Sequence, residues 1–493
     1  VKYVKIHSSD TVAVAVEDLK KDESVSIDGR ELTLIDDIPA GHKLALYDIA
    51  EGENVIKYAY PIGHAEKNIR QGEHIHTHNI RSNLSSLLSY EYNPDFREAE
   101  KLPTRTFRGY RRPDGKVGTR NEIWIIPTVG CVNSVVCQIE KQAQSCLTEN
   151  IDGIYAYSHP YGCSQLGGDM QMTLKYLSGL IRHPNAAAVL VVGLGCENGN
   201  ITELKKVLGD YDEKRVRFLV AQDSEDEIAD GVKIVKELAE LASKYEREEC
   251  PAGELIIGLK CGGSDGFSGI TANPLLGSFS DRLIGMGGST VLTEVPEMFG
   301  AETILMNRCR SREEFDKTVD LINDFKKYFM RYGEKVDENP SPGNKEGGIT
   351  TLEDKSLGCT QKGGTAPVED VLLYGEAVKK KGLSLLQAPG NDLVASNALA
   401  ASGAQIILFT TGRGTPFGCP VPTAKISSNS VIANRKKSWI DFNAGSLLEN
   451  KTMEELTDEF FDYVLALASG EVKAKAEMLD KHELAIFKDG VTL

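Results

Sequence analysis

The sequence predicts a multidomain fold: a small β-rich N-terminal unit, then an α/β region with mostly parallel sheets. Three observations predict it. The first 92 residues alternate short β-branched runs with glycine turns. Beyond residue 107, apolar strand candidates alternate with helical patterns. The chain has 493 residues, and at roughly 150 per domain that is about three domains.

The N-terminal unit, 1–92, rests on runs at Tyr3 to Ile6, Thr11 to Val16, Leu32 to Ile35 and Asn54 to Tyr58, with turns at Asp28-Gly29, Ala40-Gly41 and Glu51-Gly52. Residues 93–107 are polar, carry Pro94 and Pro103, and read as a linker. A first α/β domain, 108–250, opens with a strand over Ile123 to Val129 that runs into Gly130-Cys131, and a helix follows from Asn133. Ala186 to Val192 is a buried strand ending in Gly193-Leu194-Gly195-Cys196, with Asn200 placed to cap the next helix. A long helix is expected over Glu225 to Arg247.

A second α/β domain, 251–493, repeats the design. Leu255 to Leu259 precedes Cys261-Gly262-Gly263, Thr290 to Thr293 precedes Glu294, and Gln405 to Phe409 precedes Thr411-Gly412-Arg413-Gly414. Met453 to Ser469 reads as a helix with a capping box at Thr452 and Glu455. Residues 338–367 lack apolar periodicity and read as a long loop that closes over a site. In open α/β sheets, ligands bind at the carboxyl ends of strands, where these glycine-rich polar segments fall.

Composition excludes several function classes. With 56 Lys+Arg against 72 Asp+Glu the net charge is −16, and no basic block offers a nucleic-acid surface. No apolar run approaches the roughly 18–20 residues that cross a bilayer. The opening residues place acids where a signal peptide needs an apolar core, which points to the cytoplasm. Ten cysteines without a CxxC pair argue against zinc ribbons and thioredoxin chemistry. No GxGxxG or GxxxxGK[ST] occurs, so nucleotide chemistry has little support.

Candidate site residues cluster at the strand ends. His74, His76 and His78 alternate in GEHIHTHN and can share a divalent metal or an anionic substrate; the alternative is a polar strand face. His42 follows the Ala40-Gly41 turn. Cys163, Cys196 and Cys261 come from separate strand ends and could converge on one soft ion; equally, a small thiol simply fits a tight glycine turn. Three thiolates also suit an iron–sulfur cluster with an open iron, a reading ranked behind a single divalent ion. His159, four residues before Cys163, is a candidate acid or base. Asp265 and Glu294 offer carboxylates, while Asn344, Lys345, Lys362 and Arg413 in glycine-rich segments are placed to hold an anion.

These segments carry a resemblance. VKYVKIH, GEHIHTHN, VGTRNEIWIIPTVGCVN, SHPYGCSQLG, CGGSDGFSGITANP, NPSPGNKEGGITTLEDKSLGCTQK and FTTGRGTP together resemble the galactarate/altronate dehydratase family from end to end. The resemblance implies an N-terminal SAF-type β domain and an α/β catalytic region with a long crossover loop. It implies a hydro-lyase converting D-altronate to 2-dehydro-3-deoxy-D-gluconate in hexuronate breakdown, dependent on Fe(II) or Mn(II). Galactarate-acting members lack the His-x-His-x-His run, which favours altronate. Alternatives are galactarate dehydration, sulfolactate cleavage on a similar framework, or a non-catalytic sugar-acid binding protein. On this reading His159 is base or acid with Glu294 or Asp265 as counterpart. Candidates for the metal shell, which the resemblance itself does not assign, are Cys163, Cys196 and Cys261 with His42, His74, His76 or His78. The expected partner is a small sugar acid, with a homo-oligomer possible.

Overall fold

The structure, a computed structural model, describes residues 2–84 and 87–492, with Arg30 by its backbone alone. The N-terminal unit is built from four related decapeptides: DLKKDESVSI from Asp18, DIPAGHKLAL from Asp37, DIAEGENVIK from Asp48 and NIRQGEHIHT from Asn68. The fifth residue of each, Asp22, Gly41, Gly52 or Gly72, has φ between 66° and 83°, the left-handed region where glycine is at ease. Each tight turn is closed by the same hydrogen bond, as from the His42 amide to the Pro39 carbonyl at 3.0 Å and from the Glu73 amide to that of Arg70 at 3.0 Å. The second residues pair as isolated bridges, Leu19 with Ile38 and Ile49 with Ile69, and all four are buried. The repeat therefore fixes where His42 and His74 emerge, one and two residues past their turns.

Three small antiparallel sheets result. The largest orders Tyr3–Val4, Val12–Ala15, Lys43–Ala45 and His74–Ile75. The strand expected through the histidine run stops at Ile75, and His76 to His78 form a turn that brings the rings together rather than alternating them. One N-terminal core, containing Val12, Ile49, Val55, Ile69 and Ile75, is completed by Ala301 and Leu357 from the C-terminal region.

Both α/β sheets are parallel. The first orders Gly153–Ala156, Glu122–Pro127, Ala186–Gly193 and Val216–Val220. The second has seven strands, ordered Val368–Leu372, Gly382–Leu386, Ser289–Leu292, Ile256–Cys261, Ile406–Thr411, Thr423–Ser427 and Phe442–Asn443. The expected helices form, with Asp226 capping Glu227–Ala242, Asn200 capping Ile201–Leu208, and both capping-box bonds present before Met453–Ala468. One apolar cluster joins Trp124, Leu177 and Val191 of the first sheet region to Leu386, Leu399 and Ile407 of the second. The chain between the N-terminal unit and Thr106 runs along the C-terminal region, where Tyr90 donates to Glu302 at 2.7 Å and Tyr92 to the Cys309 carbonyl at 2.8 Å.

Residues 338–367 differ from the loop that was expected. They fold as helices Pro342–Glu346 and Leu352–Cys359 and a 3-10 turn, Thr360–Gly363. Every residue of Leu352–Cys359 is buried. A helix covered on all sides has no solvent stripe, so it shows no apolar period. Its charges are paired across two interfaces. Asp354 accepts from Lys43 and Lys57 of the N-terminal unit, each at 2.9 Å, while Lys355 meets Glu297 at 2.9 Å. Burial opposes ionisation of Asp354, yet the two lysines overcome it and hold the carboxyl well below its usual range.

Replacing Asp354 with Asn leaves two buried lysines without a counter-charge. Breaking such a pair costs about 3–5 kcal/mol. We expect a lower thermal midpoint and protease cleavage between residues 84 and 105. An unchanged midpoint and protease pattern would show that this pair does not hold the N-terminal unit in place.

Candidate active site

The strand order of the seven-stranded sheet reverses at Ile256–Cys261, from which the chain builds first one way and later the other. Ligand sites form at the carboxyl side of such a switch point. Four strands deliver chemistry there. Cys261 leads into Gly262 to Asp265, Leu292 into Thr293 and Glu294, Thr411 into Gly412 and Arg413, and Ser427 into Ser428 and Asn429.

Beneath the surface lies a closed charge cluster. Glu294, at φ 67°, accepts from Lys260 at 2.5 Å and lies 3.2 Å from Lys362. Lys260 also meets Asp392 at 2.9 Å. Burial pushes Glu294 up even with both lysines touching it. For Glu297 burial acts the same way, but Lys355, Lys260 and Lys362 prevail and hold it down to about 2. The thiols of Cys261 and Cys359 sit 3.2 Å apart, and both reach Glu297, at 3.3 and 3.2 Å. These three side chains form a buried trio of donors within 4.8 Å. Three lysines surround it, and their charge disfavours a dication there. Lys362 and Glu294 thus satisfy each other inside the fold and do not face a substrate. Asn344 is likewise structural: it completes the capping box of Pro342–Glu346, donates to the Ser264 carbonyl at 2.9 Å and accepts from Lys355 at 3.2 Å.

Above this floor the N-terminal unit docks. Gly41 fits between two loops, and a Cβ there would sit 3.0 Å from the Gly347 carbonyl oxygen. His42 Nδ1 lies 3.0 Å from His74 Nε2, and His42 Nε2 lies 3.1 Å from the Glu346 carbonyl. The His76 ring lies 4.8 Å from that of His42, and the His78 ring 5.4 Å from that of His74. Burial pushes His42 down. It takes His74 to about 4, with help from His42 and His78, and His76 to about 3, with help from Lys43. These three imidazoles are neutral at pH 7, as metal ligands must be. His76 Nδ1 is buried with no hydrogen-bond partner. Two ring nitrogens 3.0 Å apart match neighbouring ligands at right angles on one ion, since bonds of about 2.1 Å place them about 3 Å apart. An all-imidazole set suits iron, zinc, copper or nickel.

Where the turn before His42 docks opens a cavity of about 370 Å³, lined among others by Ala40, Asp265, Gly347, Arg413 and Arg435. Asp265 Oδ1 accepts from the Phe267 and Ser268 amides and from the hydroxyls of Ser268 and Ser428, and Oδ2 accepts from Asn429 at 2.9 Å. Burial nevertheless leaves its pKa above the usual carboxylate value. Arg413 is exposed and pairs with Glu346 at 2.9 Å. Lys345 lies on the same short helix as Glu346 and is half-buried.

The structure divides the expected metal shell. Cys163 and Cys196 stand at strand ends of the first α/β sheet with Cys131, whereas Cys261 belongs to the buried trio of the second. His159 is no free acid or base. Its Nε2 donates to the Pro127 carbonyl at 2.8 Å and its Nδ1 accepts from the Tyr161 amide at 3.2 Å. Burial takes it down to about 4. Sequence reasoning missed Lys260, whose signal was a lysine inside an apolar strand, and Arg435, which carried none.

Three family profiles match in succession: the altronate/galactarate dehydratase SAF domain over residues 1–83, the D-galactarate dehydratase/altronate hydrolase second domain over 109–243, and the D-galactarate/altronate dehydratase C-terminal domain over 252–492. The chain is 55% identical to the altronate dehydratase of Bacillus subtilis (strain 168), covering 100% of this chain and 99% of that one. It is 53% identical to the altronate dehydratase of Escherichia coli (strain K12), covering 100% of both. It is 34% identical to the galactarate dehydratase (L-threo-forming) of the same strain, covering 98% and 96%. Matched along its whole length and in this domain order, the chain belongs to the galactarate/altronate dehydratase family.

Proposed function

We infer that the protein is a hydro-lyase that dehydrates D-altronate to 2-dehydro-3-deoxy-D-gluconate, in hexuronate catabolism. The observation that carries this reading is the identity above 50%, over the full chain, with two altronate dehydratases. Galactarate dehydratase is more distant at 34%. The ten cysteines are all free thiols, as a reducing cytoplasm keeps them. No described helix is long and apolar enough to cross a membrane.

The substrate carboxylate is held by Arg413 and Arg435 in the open cavity, through charge-assisted hydrogen bonds. Asp265 Oδ2, which spends only one bond on Asn429, takes the proton from C2. That proton then leaves with the C3 hydroxyl as water, and the enol collects a proton at C3 to become the 2-keto product. The raised pKa of Asp265 suits a base that must also give its proton away. His42, His74 and His76 would hold Fe(II), or Mn(II), beside this cavity, with His78 next to them. Bound there, the ion supplies Lewis-acid polarisation of the carboxylate and a hydroxyl. Lys345, next to Glu346, lies where it can reach the sugar hydroxyls.

The reading is tested by following 2-keto-3-deoxy acid formation on protein purified without oxygen, with and without Fe(II). We expect multiple turnovers on D-altronate that depend on iron. Turnover on galactarate or sulfolactate alone would overturn the substrate assignment, and stoichiometric binding without turnover would make the chain a sugar-acid binding protein.

Two variants test the roles. Asp265→Asn keeps the size of the side chain but sets an N–H against the Asn429 donor, and we expect kcat to fall by about 10²–10⁴ in protein that still folds, with a lower thermal midpoint. Near-normal kcat would remove Asp265 as base. His76→Ala should lose one tightly bound iron per chain relative to the unaltered protein, measured by elemental analysis, whereas Cys261→Ser should retain it. The reverse pattern would move the ion to the buried trio.

A further inference from the structure

Cys131, Cys163 and Cys196 have no part in the site just described. They emerge at the carboxyl ends of three adjacent parallel strands, Glu122–Pro127, Gly153–Ala156 and Ala186–Gly193. All three are exposed free thiols. Burial, with the thiols of Cys163 and Cys196 near enough to act on it, pushes the Cys131 thiol up.

The turns that carry them are braced with unusual thoroughness. A glycine precedes each cysteine, and a Cβ there would collide: at Gly130 with the His159 carbonyl oxygen at 2.8 Å, at Gly162 with that of Thr128 at 2.3 Å, and at Gly195 with Gln222 Oε1 at 2.7 Å. Side chains then tie the turns to one another. Asn133 donates to the His159 carbonyl at 2.8 Å and accepts from the His159 amide at 3.2 Å, linking the Cys131 and Cys163 segments. Glu197 accepts from the Thr128 hydroxyl at 2.5 Å and from the Gly195 amide at 2.6 Å, linking those of Cys131 and Cys196. His159 locks the Cys163 turn through its two ring nitrogens. Glu197, Thr128 and His159 are all at most 5% exposed. A buried carboxylate and imidazole are thus committed to holding three surface thiols in fixed positions.

Charge and spacing say what the thiols hold. Helices Asn133–Ala143, Gly167–Ile181 and Ile201–Leu208 each begin within five residues after one of the cysteines. Helix starts favour an anionic ligand, and a bound metal deprotonates the thiols that hold it. One tetrahedral ion with metal–sulfur bonds of about 2.3 Å draws its sulfurs to about 3.8 Å of one another. Among the described residues, the trio of donors all within 4.8 Å is Cys261, Glu297 and Cys359. The three surface thiols are not all within 4.8 Å of one another, which is too wide for one ion and leaves a cluster, with its ligands spread over several irons, as the better match.

We propose that Cys131, Cys163 and Cys196 hold an iron–sulfur cluster, one thiolate to an iron, with one iron left open for an oxygen or nitrogen donor. The site stands on the first α/β sheet, separate from the cavity lined by Asp265 and Arg413 on the second, and does not depend on its substrate.

The test is anaerobic reconstitution of the full chain with Fe(II), sulfide and dithiothreitol, followed by desalting. We expect acid-labile sulfide and several irons per chain, with broad visible charge-transfer absorption. Cys131→Ser, Cys163→Ser and Cys196→Ser should each lose labile sulfide and absorption at an unchanged thermal midpoint. Cys261→Ser, Cys359→Ser and His76→Ala should keep both. Wild-type protein that takes up iron without labile sulfide, or only zinc, overturns the proposal, as does a chromophore that survives the triple Cys→Ser variant. The wild-type measurement decides even where a variant fails to fold. Because the readout is sulfide content and not turnover, a wrong substrate assignment leaves the result intact.

Discussion

The helix Leu352–Cys359 is where the molecule is joined. On it, Asp354 faces the N-terminal unit and grips Lys43 and Lys57, while Lys355 and Cys359 face the sheet and engage Glu297. Glu353 meanwhile accepts from Ser82 and the Asn83 amide, at the point where the chain leaves the N-terminal unit. One short buried segment thus sets where the histidines sit relative to the strand ends. Because charges in a low-dielectric interior tolerate few arrangements, the segment specifies one docking and penalises others.

The same logic recurs elsewhere in the interior. The chain is acidic overall at −16, yet Lys43, Lys57, Lys260, Lys326 and Lys362 are among its most deeply buried large side chains. Each is paired or hydrogen-bonded, as Lys326 is with Glu302 at 3.1 Å. The imidazoles of His74 and His76, depressed by burial and by neighbouring histidines and Lys43, remain neutral where the N-terminal unit docks.

Much of this was legible in the sequence. Parallel strands announced themselves as apolar runs ending in glycine, and Asn200 and Thr452 marked their helices because capping is a local interaction. The His74–His78 run was also readable, since it is contiguous, whereas His42 alone read as a structural residue after its turn and joins the run only across the sheet. Two things were not. Leu352–Cys359 looked like loop because its partners are distant in sequence and polar, so no periodicity betrays it. Likewise, choosing Cys261 over Cys131 to accompany Cys163 and Cys196 required knowing which strands share a sheet, and five glycine-flanked cysteines look alike until they are assigned to one. His159 misled for a related reason: a histidine at a strand end suggests catalysis, while its two backbone partners appear only in three dimensions.

The covalent path from the N-terminal unit has a kinetic meaning of its own. Tyr90 and Tyr92 fasten the chain to the C-terminal region only a few residues after Ser82. A leash that short keeps the unit at an effective concentration on the order of millimolar even when Asp354 releases its lysines. Separation is then a reversible opening rather than a loss of the domain. Recapture is unimolecular and independent of dilution, so the docked arrangement is restored equally well at any protein concentration.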